Sequence, residues 1–541
     1  MKPILDVARA LDLGPQQLDL HGTYKAKVLA AGSAARPAHG RLILVSAITP
    51  TPAGEGKNTC SIGLAQGLAR RGVRCAVALR EPSLGPYLGL KGGGTGGGRS
   101  EVLPAEDINL HFTGDIHAVE SAHNLLAALV DNHLHHGNAL GLDSRRVVWR
   151  RVLDMNDRAL RSIVIGLGGA REGVPRETGF DIAAASEVMA ILCLARDIED
   201  LKARLGRIVV GFRPDGSAVK AADLKAVGAM AVLLREAVLP NLVQTTEGVP
   251  AFVHGGPFAN IAHGTNSIAA TRLALSLADA VVTEAGFAFE LGAEKFFDIN
   301  CAYGGFAPSA TVLVATARAL KMHGGVPLGR VGEPDPEGVS RGLPNLEKHV
   351  ENIRKFEQPC VVAVNRFPGD TEEETAVIRE RCAALGIEAV VADPYAGGGR
   401  GCEGLAEVVW ALARRSEARF RPLYDWSAPI EEKIRTIARE MYGAEAVDYP
   451  PRAKRDRAHL ERLGYCALPV CIAKTQQSLS DNPALLGRPK DFLVTVREIQ
   501  LAAGAGFVIP ITGEILRMPG LPAEPLAERF DLAPDGRTVL H

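Results

Sequence analysis

The chain lacks the sequence features of secreted, membrane-spanning and nucleic-acid-binding proteins. Its N-terminus has no apolar signal-peptide core, and no unbroken apolar run approaches the ~20 residues that span a bilayer. Its 61 Lys and Arg balance 62 Asp and Glu, and the net charge of -1 argues against binding nucleic acid or anionic membranes through bulk charge. We therefore expect a cytoplasmic protein without nucleic-acid or membrane partners.

Cysteine is scarce, and its spacing is not that of a disulfide framework. The nine cysteines contain no C-x-x-C, and the closest two are Cys466 and Cys471. An odd number without paired spacing is typical of reduced thiols in a cytosolic protein. We interpret most of these cysteines as buried structural residues.

Two catalytic signatures are also absent. The six histidines between residues 111 and 136 contain no H-E-x-x-H and have no cysteine nearby, so we expect helix-face histidines rather than a metal site. No N-K-x-D tetrapeptide occurs, which disfavours a regulatory GTPase that reads guanine.

A phosphate-binding loop is the strongest feature that is present. The apolar run 42–48 is followed by the loop 49–59, which ends in Gly-Lys-Asn-Thr, and then by a helix-like segment. A helix start offers unbonded N–H groups to an anion, and Lys57 adds a charge that reaches the outer phosphates of a nucleotide. The alternative is an ordinary strand-to-helix turn. The predicted nucleotide-binding residues are Thr51, Pro52, Ala53, Gly54, Glu55, Gly56, Lys57, Asn58 and Thr59.

The loop departs from the usual G-x-x-x-x-G-K-[ST] pattern at two positions. Thr51 stands where that pattern has glycine, and Asn58 stands where it has the hydroxyl residue that binds Mg²⁺. Thr59 follows one step later. The metal ligand is therefore open between Asn58 and Thr59.

Alternating strand-like and helix-like segments predict an α/β fold. We expect a large P-loop-containing domain with a mostly parallel sheet at residues 1–344, plus two smaller α/β domains. The second domain covers 345–424, and the C-terminal one, 425–541, begins with a helix and ends in strands (α+β). The predicted strands are 42–48, 75–79, 163–165, 208–210, 281–283, 312–314 and 361–364, and the predicted helices include 59–71, 184–196, 223–234 and 268–277.

Two features follow the second predicted strand, 75–79. Parallel sheets bind ligands at the carboxyl ends of their strands, so Arg80 is expected near the phosphates; a surface salt bridge is its alternative role. Residues 91–98 then contain six glycines in eight positions. Such a segment is either a flexible linker or a loop whose backbone approaches a ligand, and its place inside the α/β core favours the ligand loop.

Three further residues are candidates from their place in the pattern. Asp115 precedes a predicted helix, where it serves either as a cap or first-turn carboxylate or as a contact to Mg²⁺ or a substrate amine. Phe287 and Phe367 each follow a strand, which is typical of a stacking surface for a flat ring and equally of a core residue.

Long motifs along the whole chain resemble formate–tetrahydrofolate ligase. They begin with TPTPAGEGK at 49–57, EPSLGP at 81–86, EDINLHFTGD at 106–115 and RRVLDMNDR at 150–158. They continue at 254–263, with NRFP at 365–368, AKTQ at 473–476, LGRPK at 486–490, and at 503–507 and 518–522. The resemblance spans residues ~2–540 and is far more specific than a single nucleotide loop.

The resemblance implies an enzyme that joins formate to tetrahydrofolate with ATP through formyl phosphate, giving 10-formyltetrahydrofolate. MgATP, formate and tetrahydrofolate are the implied substrates, K⁺ or NH₄⁺ the implied activating cation, and a homotetramer the implied assembly. The implied catalytic residues are Lys57, Arg80 and Asp115, with Arg80 clamping formyl phosphate. Phe287 and Phe367 match family aromatics that line the folate and nucleotide cleft, to which domain 345–424 contributes.

The chain departs from the family's pattern in four places, of which the last comprises two residues. Asn58 replaces a threonine, and Tyr395 replaces a tryptophan that stacks on the pterin. The run 286–292, GFAFELG, is bulkier, and Asn300 and Ala302 stand where Lys and Arg are expected. These changes motivate the alternative of an altered or weakly active relative that binds nucleotide or folate.

Overall fold

The structure is a computed structural model that describes residues 1–29, 38–52, 54–89 and 93–540. Ala53 of the predicted loop and Lys91 and Gly92 of the glycine-rich segment lie outside the described residues. Within these ranges, every helix is too short or too polar to cross a membrane.

The strands and helices alternate along most of the chain. The strands are β1 (Leu18–Leu20), β2 (Ala26–Val28), β3 (Arg41–Ala47), β4 (Cys75–Leu79), β5 (Gly96–Gly97), β6 (Ser100–Leu103), β7 (Arg151–Leu153), β8 (Ile163–Ile165), β9 (Arg176–Thr178), β10 (Phe180–Ile182), β11 (Val209–Phe212), β12 (Ala218–Lys220), β13 (Asn241–Thr245), β14 (Pro250–Val253), β15 (Ala280–Glu284), β16 (Pro308–Ala315), β17 (Cys360–Asn365), β18 (Glu388–Ala392), β19 (Ala446–Asp448), β20 (Leu493–Thr495), β21 (Glu498–Ala502), β22 (Phe507–Ile511), β23 (Phe530–Leu532) and β24 (Thr538–Leu540).

The helices are α1 (Ile4–Arg9), α2 (Lys57–Arg70), α3 (Leu84–Leu88), α4 (Ala105–Asn109), α5 (Asp115–His135), α6 (Glu187–Leu194), α7 (Ile198–Arg207), α8 (Val227–Leu234), α9 (Ile268–Leu277), α10 (Ala302–Gly304), α11 (Ala317–His323), α12 (Pro336–Lys355), α13 (Glu372–Ala384), α14 (Pro394–Gly397), α15 (Glu403–Arg415), α16 (Ile430–Ile437) and α17 (Pro451–Arg462). The predicted helix at the start of the C-terminal region is α16, continued by a π-helical turn at Ala438–Tyr442.

A 12-stranded sheet forms the centre of the molecule. Its order is β1-β2-β13-β14-β4-β15-β3-β16-β17-β18, with β6 on β13 and β5 on β6. The seven strands from β14 to β18 in this order run parallel, whereas the pairs on the β1 side are antiparallel. The α/β class and the mostly parallel sheet are thus confirmed.

Both faces of the central strands of the sheet are buried, as the unbroken apolar runs predict. Strand β3 directs Ile43 and Val45 into one hydrophobic cluster with helices α2 and α15. Its alternate residues Leu42 and Leu44 enter the opposite cluster, which contains the apolar face of α12. Side chains alternate along a strand, so a strand with helices on both sides must be apolar throughout.

Strand β15 lies between β3 and β4 and pairs with both in parallel. Strands β3 and β4, which the predicted loop and α2 connect, are therefore parallel but not neighbours. This topology puts the carboxyl ends of β4, β15 and β3 side by side.

Two predicted strands do not join the central sheet. Strand β8 forms an antiparallel hairpin with β9, and β11 pairs antiparallel with β12. The prediction of one continuous α/β alternation through these residues is therefore wrong in detail, because short apolar runs fit a hairpin and a core strand equally well.

Candidate active site

A cavity of about 770 Å³ opens beside the carboxyl ends of the three neighbouring strands. Its lining includes Lys57 at the start of α2, Arg80 after β4, Glu284 at the end of β15 and Phe287 just beyond it. Ligand sites of parallel α/β sheets lie at this edge, and the volume is that of a small-molecule site.

Two glycines shape the loop that enters α2. Gly54 and Gly56 have φ angles of +82° and +70°, and Gly56 directly precedes the first helical residue. A Cβ on Gly56 would lie 2.7 Å from the amide nitrogen of Asn365. That nitrogen donates to the Glu55 carbonyl at 2.9 Å, so β17 holds the loop from outside.

The Glu55 side chain closes the loop on itself. Its Oε1 accepts the Thr51 N–H at 2.7 Å. Burial raises the pKa of Glu55 to about 7, against the opposing effect of this hydrogen bond and of Lys57. The loop therefore carries a carboxyl group that is largely neutral below pH 7 and adds little repulsion toward a phosphate there.

Lys57 lies within the cavity wall and donates to the Phe287 carbonyl oxygen. Phe287 has a φ of +59°, which is rare for a residue with a side chain. Burial lowers the pKa of Lys57, and the neighbouring Glu284 favours its charged form. The loop after β15 thus presents a backbone oxygen to the ammonium group.

Arg80 is held by a buried carboxylate rather than by a surface one. Its Nη2 donates to Glu284 Oε1 at 3.1 Å, and the Glu284 side chain is only 1% exposed while that of Arg80 is 28% exposed. A Cβ on Gly286 would lie 2.9 Å from Arg80 Nη1, so the guanidinium packs directly on that backbone. The planar guanidinium of Arg80 therefore faces the cavity and is fixed on one side by Glu284.

Asn58 contacts the glycine-rich segment. Its amide nitrogen donates to the Gly94 carbonyl at 2.9 Å, and Gly94 also lines the cavity. Gly94 is further fixed by its own N–H, which Asn109 Oδ1 accepts at 2.9 Å. The described part of this segment therefore packs against the loop 49–59. Thr59, the third residue of α2, is half-buried.

Asp115 does not line this cavity. It is the first residue of α5, as its position before a predicted helix indicated, and it is buried. One carboxylate oxygen contacts Lys27 Nζ at 2.7 Å and the other accepts from Asn241 Nδ2 at 2.7 Å. Both carboxylate oxygens of Asp115 thus bind residues inside the fold. Glu81, which does line the cavity, has a pKa that is raised mainly by burial and further by the negative charge of Asp115.

Of the three predicted aromatic residues, Phe287 is the one in the described lining of the cavity. Phe367 lies under the Arg318 guanidinium, 4.7 Å from the ring centre. Tyr395 is 62% exposed, and its ring lies over Gly97 and Gly98 of the glycine-rich segment. Phe367 and Tyr395 therefore form separate exposed or half-exposed surfaces.

Sequence reasoning missed Glu284 and the C-terminal contribution to the cavity. The end-of-strand argument that selected Arg80 also selects Glu284, since it ends β15. Gln476, the last residue of the AKTQ motif, and Gln477 line the cavity from a segment remote in sequence, and the motif itself does not indicate which site they reach. A second cavity of about 640 Å³ lies near Trp149, Arg150 and Arg517, and none of the predicted residues lines it.

One sequence comparison bears on the whole chain. The family model described as formate–tetrahydrofolate ligase matches residues 1–539 of the 541.

Proposed function

The chain belongs to the formate–tetrahydrofolate ligase family, and on this premise we propose that the cavity beside β4, β15 and β3 is its active site. The family joins formate to tetrahydrofolate with ATP in one-carbon metabolism, so the protein is a ligase whose substrates include ATP and tetrahydrofolate. The full-length match supports this ligase and offers nothing for the alternative of an altered relative.

The first half of the proposed reaction is phosphoryl transfer. A formate oxygen attacks the γ-phosphorus of ATP, the bond to the β-phosphate oxygen breaks, and ADP leaves with that electron pair. Lys57 and the N–H groups of residues 54–59 hold the phosphates, and Asn58 or Thr59 reaches the Mg²⁺ that accompanies ATP. Such transfer depends mainly on positioning and charge neutralisation, which this loop supplies.

The second half is acyl transfer from formyl phosphate. N10 of tetrahydrofolate attacks the formyl carbon, phosphate leaves with the electron pair of the C–O bond, and N10 loses a proton. Arg80, oriented by Glu284, binds the phosphoryl oxygens through its planar fork. Phe287 lines the nucleotide side of the cavity. The family resemblance assigns Phe367 and Tyr395 to the folate side, although their rings lie on separate surfaces outside the described lining. Asp115 acts from beneath the site through its field at Glu81.

Other family properties extend this proposal. We assign a large nucleotide-binding domain at 1–344, a second domain at 345–424 and a third at 425–541, although β17 and β18 of the second continue the central sheet. The protein acts as a cytoplasmic homotetramer activated by K⁺ or NH₄⁺. Light scattering after size exclusion tests the tetramer, and initial rates with K⁺, NH₄⁺ or Na⁺ test the cation.

The observation that carries the assignment is the convergence of Lys57, Arg80, Glu284 and Phe287 on one cavity. Incubation with MgATP, formate and tetrahydrofolate should yield the 10-formyl product, and Arg80→Ala should abolish it. Normal kcat in Arg80→Ala would contradict the clamp. Nucleotide binding without product in the wild type would favour the altered relative.

A further inference from the structure

All polar groups of Thr49, the first residue of the loop 49–59, are held by three buried side chains of α11 and α12. Asn345 Oδ1 accepts the Thr49 N–H at 3.3 Å, and His323 Nε2 lies 2.8 Å from the Thr49 carbonyl oxygen. His349 Nε2 lies 3.0 Å from the Thr49 hydroxyl, which also accepts from Asn345 Nδ2 at 3.0 Å. The entrance to the loop is therefore fixed from the layer of helices behind it.

Two of the same side chains hold the C-terminal part of the chain. Asn345 Nδ2 donates to the Gly487 carbonyl at 2.8 Å, and the Gly487 N–H donates to His323 Nδ1 at 3.1 Å. A carbonyl can only accept and an N–H can only donate, so His323 is the neutral tautomer with its proton on Nε2. Burial lowers the pKa of His323, which keeps the imidazole neutral.

The glycine at 487 is required by the same contact. Gly487 has a φ of +70°, and a Cβ there would lie 2.9 Å from the His323 carbonyl oxygen. A side chain at this position would be strained and would push the segment away from α11.

An ion pair holds the other end of this segment. Lys474 Nζ donates to the Thr475 carbonyl at 2.8 Å and lies 3.7 Å from Glu290 Oε1. Residues 474–487, which we name the C-terminal wall, are thus held at one end by His323 and Asn345 and at the other end by Glu290. Gln476 of this wall lines the cavity.

We propose that His323 and Asn345 are positioning residues that set the C-terminal wall against the nucleotide loop, so that nucleotide bound at the loop also orders the wall. This inference rests on the proposed function for the loop. Each side chain contacts backbone atoms of both segments, so displacement of either segment breaks buried hydrogen bonds. Loss of one such bond changes an equilibrium roughly three- to tenfold.

Two substitutions of His323 separate its two contacts. His323→Gln places an amide N–H near the position of Nε2, which keeps the bond to Thr49 and removes the bond to Gly487. His323→Asn places an amide oxygen near the position of Nδ1, which keeps Gly487 and removes Thr49. The exposed His135→Gln at the end of α5 is the matched control.

Hydrogen–deuterium exchange of peptides covering 49–59 and 474–487, with and without MgATP, gives the decisive readout. In the wild type and in His135→Gln, MgATP should slow exchange in both segments. In His323→Gln, protection of the wall should fall roughly threefold or more while KM for ATP stays within about twofold of the wild type. In His323→Asn, KM for ATP should rise roughly three- to tenfold.

A double variant strengthens the test because Asn345 also links both segments. His323→Gln with Asn345→Asp keeps the acceptor for the Thr49 N–H and the donor to the Thr49 carbonyl. It replaces the Asn345 amide donor to the Thr49 hydroxyl by an oxygen that can accept from that hydroxyl, and it places a carboxylate oxygen against the Gly487 carbonyl. MgATP should then protect 49–59 and leave 474–487 exchanging as in the ligand-free protein.

The outcomes separate this inference from the function on which it rests. If MgATP protects 49–59 but not 474–487 in the wild type, the positioning role is wrong while the proposed function stands. The same holds if both His323 variants change the protection of the wall and the KM for ATP together. Intact protection of both segments without any formyl product would contradict the ligase site but support the link. Protection of neither segment would overturn both.

Discussion

Arg80 donates to the buried Glu284 carboxylate at 3.1 Å, across the ends of two adjacent parallel strands. Glu284→Gln keeps the shape of the side chain but removes the charge that orients the guanidinium. We expect kcat/KM for formate to fall roughly tenfold, equivalent to about 1.5 kcal/mol for a hydrogen bond between charged groups. Steady-state rates at saturating ATP and tetrahydrofolate measure this effect.

Glu236→Gln is the control for that substitution, since Glu236 pairs with Arg235 on the surface. Surface pairs contribute little, so its rates should match the wild type. Unchanged kcat/KM for formate in Glu284→Gln would mean that Arg80 does not depend on this carboxylate.

Lys57→Ala should reduce formyl transfer by about two to three orders of magnitude, because it removes the charge that neutralises the outer phosphates. Product formation under single-turnover conditions measures the loss. Lys202→Ala, on the exposed face of α7, should be neutral. A Lys57→Ala enzyme with more than a tenth of wild-type activity would remove Lys57 from the reaction.

Asn58→Thr introduces the threonine that the family resemblance implies after the lysine. We expect equal or higher kcat, because a hydroxyl is the usual Mg²⁺ ligand at this position. The shorter side chain cannot donate to Gly94, so thermal stability should drop by an amount worth about 1 kcal/mol. A large fall in kcat across a Mg²⁺ titration would show instead that Asn58 has a dedicated role.

Glu55 makes the nucleotide loop sensitive to pH. Its pKa in the folded protein is about 7, against an ordinary value of 4.5, so the folded state binds this proton more tightly than the unfolded state does. The resulting stabilisation, about 3 kcal/mol at most, is complete below pH 4.5 and is lost as pH rises through 7.

Glu55→Gln should therefore lose this pH dependence. The difference in melting temperature between Glu55→Gln and the wild type should increase from pH 5 to pH 8. The KM of the variant for ATP should stay constant above pH 7. The KM of the wild type should rise there, because the ionised carboxylate repels phosphate. Glu187 has a similarly raised pKa near the second cavity, so Glu187→Gln controls for stability alone and should leave the KM profile unchanged. Parallel KM profiles of wild type and Glu55→Gln would contradict this role.

Gly56→Ala tests the close packing of the loop on β17. Gly72 is the matched control, because it has a φ of +79° but no atom within 4 Å of the position a Cβ would take, whereas a Cβ on Gly56 meets Asn365 at 2.7 Å. Both substitutions should cost about 1–2 kcal/mol from the left-handed backbone. Only Gly56→Ala should also raise the Kd for ATP, roughly tenfold or more, as measured by calorimetry. Equal Kd values in the two variants would contradict a role for this contact in binding ATP.

The local parts of the fold were predictable from the sequence. Strand β3, the loop, α2 and β4 follow from an apolar run, a Gly-Lys motif and a second apolar run, all within forty residues. The position of Asp115 at the start of a helix was also predicted correctly. Each of these depends on neighbours in sequence, which is where the periodicity and turn chemistry act.

The distant parts were not predictable. No local pattern indicates that β15 separates β3 from β4 or that Lys27 binds Asp115, and the AKTQ motif at 473–476 does not show that Gln476 reaches the cavity. These contacts join residues far apart in the chain, and pairing between remote strands is chosen by packing of the whole core. The roles of Phe367, Tyr395 and the C-terminal domain border stay predictions for the same reason.

The position of β15 also has a consequence for how the protein is made. Strand β3 leaves the ribosome long before β15 and β16, its two neighbours in the sheet, have been translated. Non-local strand pairing is slow, and an exposed parallel strand without partners is prone to aggregate. A nascent chain that ends before residue 280 carries the complete Gly-Lys loop but neither neighbour of β3 in the sheet. We therefore expect the proposed nucleotide site to be completed only after more than half of the chain has been synthesised.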